Sequence, residues 1–72
     1  MSVNKIVADH LGKSIEECSD DKSLVDDLGA DSLDTVEIIL QLEEQYDVEI
    51  PDEDAETLST IGLIKEYIEV NS

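Results

Sequence analysis

Few side chains in this sequence have the type and placement to do chemistry, and Ser32 is foremost among them. It follows the turn Leu28-Gly29-Ala30-Asp31 and opens the strongest helical pattern in the chain. A helix N-terminus presents free backbone N–H groups and a partial positive charge, so a hydroxyl there tolerates an attached phosphate even among acids. Ser32 is therefore a candidate phosphoester site, the alternative being that Ser32 or Asp31 merely caps the helix. His10 and Cys18 are the only histidine and the only cysteine, both distant in sequence from Ser32. No Ser/His/acid or Cys/His set is assembled, so no catalytic residue is expected. His10 reads as a partly buried residue near a helix C-terminus, and Cys18 as a small core-facing hydrophobe. The three glycines lack the acidic spacing of a calcium loop, so no dedicated metal site is expected, although so many acids should attract cations loosely.

The elements that must position Ser32 belong to a chain of 72 residues with net charge −16, built from 20 acids against 4 basic residues. This length supports one small domain, spanning 1–72. The charge excludes nucleic-acid backbones and anionic membranes as partners and favours basic ones. The longest aliphatic run, Ile38-Ile39-Leu40, is far short of the roughly 20 residues of a membrane span, and no basic start precedes an apolar stretch. A reducing, cytoplasmic setting and a monomer are expected.

Ser2 caps a first helix over 2–11 whose apolar positions Val3, Ile6, Val7 and Leu11 follow helical spacing, with Gly12 as its stop. A long connection follows, which Ile15, Cys18, Leu24, Val25 and Leu28 should pin to the core, with one helical turn over 23–29. Asp31 caps the second helix, Ser32 to Tyr46, which ends before Val48-Glu49-Ile50-Pro51. Asp52 should cap a short helix reaching Thr57, and Ser59 or Thr60 a last one striped by Ile61, Ile64 and Ile68. The expected fold is all-α: a small antiparallel four-helix bundle, three main helices and one short, with a long first loop. Gly62, inside the last helix, should cost about 1 kcal/mol relative to alanine.

On a helical wheel the second helix has two apolar faces. Thr35, Ile38, Leu42 and Tyr46, with Ile39 at the edge, form the core stripe. Opposite lie Leu33, Val36 and Leu40, flanked by Glu37, Glu43 and Glu44, a row that such a small bundle cannot cover. Ser23 to Ile64 contains thirteen acids and no basic residue, so this row sits in a single-sign field suited to steering basic partners, or simply to solubility.

The run Leu28-Gly29-Ala30-Asp31-Ser32-Leu33-Asp34-Thr35-Val36-Glu37 resembles the prosthetic-group attachment motif of bacterial-type acyl carrier proteins. Leu42-Glu43-Glu44, Tyr46-Asp47, Glu49-Ile50-Pro51-Asp52-Glu53, Leu11-Gly12 and Lys65-Glu66-Tyr67-Ile68 extend the likeness over almost the whole chain. The resemblance implies that a phosphopantetheinyl transferase moves 4′-phosphopantetheine from coenzyme A onto Ser32, leaving an arm whose thiol carries acyl groups as thioesters. It also implies that Asp31, Leu33, Asp34, Val36, Glu37, Leu40, Glu43 and Glu44 are read by fatty acid synthesis enzymes. Leu24, Ile38, Leu42, Tyr46, Ile50, Ala55, Leu58, Ile61, Ile64 and Tyr67 would shelter the acyl chain, or serve only as core. Leu24 where an aromatic is frequent, Leu40 where methionine is common, and Lys13-Ser14 where a valine usually follows the glycine, depart from the family pattern. A dedicated carrier of polyketide or peptidyl intermediates, and an acidic interaction protein that never uses Ser32, are the rival readings.

Overall fold

A computed structural model describes residues 2–71. Its helices are α1 (Val3–Leu11), α2 (Ser32–Tyr46), α3 (Asp52–Ala55) and α4 (Ile61–Asn71), with a 3-10 turn at Ile15–Glu17. The four helices, three main and one short, agree with the expected all-α bundle and its long first loop. Among the described residues no helix is long and apolar enough to cross a membrane.

Local chemistry sets most boundaries. Ser2 Oγ accepts from the Lys5 amide, and Gly12 closes α1 in the left-handed conformation. At α2, Asp31 and Asp34 form a reciprocal capping box, each carboxylate accepting the other's backbone N–H. Thr60 Oγ1 accepts from the Leu63 amide and caps α4. The short helix differs from expectation: Pro51 precedes it, Asp52 is its first residue, and no side chain caps it.

The end of α1 meets the start of α2, since His10 lies against Asp34, Glu37 and Gln41, while Ile6 and Asp9 sit beside Gln41, Glu44 and Gln45. The two helices therefore run antiparallel. One core binds the bundle: Val3, Ile6, Val7 and Ala8 of α1 meet Ile38, Ile39 and Leu42 of α2 and Ile61, Ile64 and Ile68 of α4. Leu24, Leu28, Ala30, Val48, Ile50 and Leu58 enter it from the connections.

The long first connection is ordered by polar stitches more than by apolar pins. Asn4 Nδ2 donates to the Cys18 carbonyl (2.7 Å) and to Asp20, whose carboxylate also pairs with Lys65 (3.0 Å). Leu24 N donates to Ser59 O and Ile61 N to Lys22 O, tying the loop to the start of α4. Cys18, Leu24 and Leu28 are buried as expected, but Ile15 and Val25 stand 47% and 57% exposed. Backbone and carboxylate bonds already hold those segments, so the two side chains are not needed as anchors. The 23–29 turn forms with Ser23 Oγ accepting from the Asp26 amide, and Gly29 ends it at φ 73°, a conformation glycine adopts without strain.

Gly62 is more than a weak point in α4. Its amide donates to the Asp20 carbonyl at 2.8 Å, and a Cβ at this position would sit 3.0 Å from that oxygen. The residue is small because the loop backbone passes there, which offsets the propensity cost.

Candidate functional site

The capping box puts Ser32 at the first position of α2, where the Asp31 carboxylate occupies the Asp34 amide. Ser32 is exposed, and among the described residues its hydroxyl makes no hydrogen bond. Asp31 does the capping, so of the two alternatives for Ser32 the structure removes capping by Ser32 itself. The Ser32 and Leu33 N–H groups precede the first intrahelical bond and have no partner among the described residues. This is a setting that accepts a phosphodiester on Ser32: a free hydroxyl beside amides that stabilise negative charge.

The second face of α2 stands where the wheel puts it. Leu33, Val36 and Leu40 are 64%, 55% and 55% exposed, while Ile38, Ile39 and Leu42 are buried on the other side. Asp31, Glu37 and Glu44 are exposed around the ridge, and Asp34 is half-buried. Glu43 departs from expectation as a free flank. It is half-buried, and its Oε2 accepts from the Ile50 amide at 2.8 Å, so it holds the loop before α3 against α2.

A cleft of about 440 Å³ starts at Ser32 and runs between α2 and α3. Thr35, Val36, Ile39, Leu40 and Glu43 line one wall, and Ile50, Asp52, Ala55 and Glu56 the other. Of the residues expected to shelter a chain, only Ile50 and Ala55 border it. Leu24, Ile38, Leu42, Leu58, Ile61 and Ile64 are buried, and Tyr46 and Tyr67 are partly buried against them. They form close-packed core, because a bundle this small fills its centre with its largest aliphatics. Thr35, Val36, Ile39 and Leu40, which border the cleft, lie outside the expected set. The signal for them was Ile39 at the stripe's edge, which faces α3.

The far wall is lightly held. No residue of α3 is buried; Ala55 packs part-buried against the core, the flanks Ile50 and Leu58 are buried, and among the described residues two side-chain hydrogen bonds, one at the segment before it, tether this wall. One is the Glu43–Ile50 bond. The other is Tyr67 Oη donating to Asp54 at 2.7 Å, a bond that pushes the phenol pKa up.

His10 is a residue whose surroundings the sequence did not disclose. Its Nε2 lies 3.3 Å from both Asp34 Oδ1 and Glu37 Oε2, and Nδ1 lies 3.3 Å from Gln41 Nε2. Cys18 is buried as expected, and burial raises its thiol pKa, which makes it inert.

Comparison with known proteins agrees with this geometry. The family model described as a phosphopantetheine attachment site matches residues 2–68. The structure of an acyl carrier protein from Enterococcus faecalis is similar, with TM-score 0.84 and 40% sequence identity over 97% of this chain and 89% of that one. The chain belongs to the phosphopantetheine attachment-site family, in its bacterial-type acyl carrier branch. Its cofactor is covalent 4′-phosphopantetheine, and its function is that of an acyl carrier.

Proposed function

We propose that Ser32 is the attachment residue, and that the chain acts as a single, monomeric carrier domain in the cytoplasm, presenting acyl intermediates to the enzymes of fatty acid synthesis. The observation that carries this reading is the unbonded Ser32 hydroxyl at the start of α2, beside two free amides and at the mouth of an apolar cleft. The arm supplies a terminal thiol that holds acyl groups as thioesters. This chain's residues do the rest by position: Ser32 Oγ is the bridging oxygen, and the Ser32 and Leu33 amides favour the negative phosphodiester.

Leu33, Val36 and Leu40, framed by Asp31, Asp34, Glu37 and Glu44, form the docking ridge. Its charge steers basic partners, and its narrow apolar row keeps each contact small enough to release. Glu43 belongs to the ridge's edge and to the cleft at once. The chain contributes no catalytic group; a phosphopantetheinyl transferase supplies the transfer chemistry, and later enzymes the acyl chemistry. The cleft shelters short acyl chains between α2 and α3, and Ile50 and Ala55 are its contact with the residues behind.

Intact mass after incubation with coenzyme A, magnesium and a broad-specificity phosphopantetheinyl transferase tests the assignment. The parent chain should gain one phosphopantetheine and Ser32→Ala none. A folded, unmodified parent that gains nothing would leave an acidic binding protein as the better reading.

A further inference from the structure

His10, Asp34 and Glu37 converge from two helices with no role in the attachment chemistry. His10 keeps only 14% of its side-chain surface exposed, and its Nε2 is 3.3 Å from each of the two carboxylate oxygens. The three atoms all lie within 4.8 Å of one another. Ligands about 2.0–2.2 Å from a tetrahedral zinc ion stand roughly 3.4 Å apart, so two of the three edges already have that length.

We propose that His10, Asp34 and Glu37 form a site for a divalent transition-metal ion of the zinc class, bridging α1 and α2 beside the docking ridge. Imidazole nitrogen selects this class over calcium and magnesium, which prefer all-oxygen shells. Gln41 stands behind the ring as the outer partner: its side-chain amide, turned to offer Oε1, accepts from the Nδ1 proton once Nε2 binds the ion. Water fills the remaining position, since Glu37 is exposed and Asp34 partly so. The one cysteine of the chain offers no competition, because Cys18 is fully buried.

The consequence falls on docking. Asp34 and Glu37 follow Ser32 by two and five residues on α2, and a bound dication cancels their charge. Occupancy therefore weakens the electrostatic approach of basic partners to the start of the ridge.

The test uses the holo protein with its arm thiol alkylated by iodoacetamide, so that the thiol is no ligand. Zinc chloride is titrated by calorimetry and by NMR of the His10 ring protons, with calcium chloride at equal ionic strength as comparison. One zinc should bind per chain, shifting the His10 ring resonances, while calcium leaves them in place. Losing even an outer-shell partner typically costs about 10–100-fold in affinity, so removing a direct ligand by His10→Gln or Glu37→Gln should weaken zinc binding at least tenfold. Glu37 is exposed, so its variant serves even if His10→Gln impairs folding. Zinc binding that leaves the His10 ring resonances unmoved, or the absence of a one-to-one event, overturns the proposal.

Discussion

The helices α2 and α3 face each other across one cleft and are built on opposite terms. The first has a reciprocal capping box, fifteen residues and three buried side chains. The second has four residues, no side-chain cap and none buried. A wall made this way can open locally at small free-energy cost while the opposite wall stays fixed. Ser32 and the ridge thus lie on the element that holds still, and the cleft opens beside the one that yields.

The largest effect should come from truncating the two walls. Leu42→Ala removes a fully buried side chain and should cost about 2–5 kcal/mol, enough to unfold a marginal bundle throughout. Ile50→Ala should instead speed amide exchange chiefly over 48–58, leaving α2 protected. Equal loss of protection in both elements would break the distinction.

A smaller effect isolates the polar tether. Glu43→Ala removes the charged acceptor of the amide of buried Ile50 and should cost roughly 1–3 kcal/mol, read most clearly as faster exchange at that one amide. Unchanged exchange there would show that the contact holds nothing.

The second tether has a pH signature. The Tyr67 phenol is raised above its ordinary value of 10.0, first because it donates to Asp54 and then because of partial burial. Its contribution is therefore complete below pH 10 and is lost as pH rises through the elevated value. Ultraviolet titration should show this ionisation above pH 10, together with loosening of 52–58, and Tyr67→Phe should lack both. Ionisation at the ordinary value would contradict the bond.

Ridge changes should touch stability least. Leu40→Ala and Glu37→Lys should each shift the unfolding free energy by less than about 0.5 kcal/mol, yet slow transfer by partner enzymes, as seen in steady-state kinetics. A sharp fall in melting temperature with unaltered kinetics would mean that these positions belong to the core.

The parts legible in the sequence are those written in local spacing. The Asp31–Asp34 cap spans three residues, and the two faces of α2 follow from the 3.6-residue period alone. Contacts between distant segments left no such trace. Gly62 reads as a loosened helix until Asp20, 42 residues earlier, is found against it. His10 reads as an isolated side chain until α1 and α2 are packed, and Glu43 as a surface charge until the loop at Ile50 reaches it. The cleft's lining was hidden for the same reason: which edge of α2 faces α3 depends on tertiary placement, so Thr35 and Ile39 could not be assigned to that wall from the helical period alone.

The central claim is a fixed helix, α2, facing a yielding wall across the cleft, and hydrogen exchange of the octanoyl-loaded protein against the holo form tests it most directly. Protection should change at Ile50 and over 52–58 and stay unchanged through α2 from Thr35 to Tyr46. Unaltered exchange at Ile50 and 52–58, or a change spread evenly along α2, would contradict it.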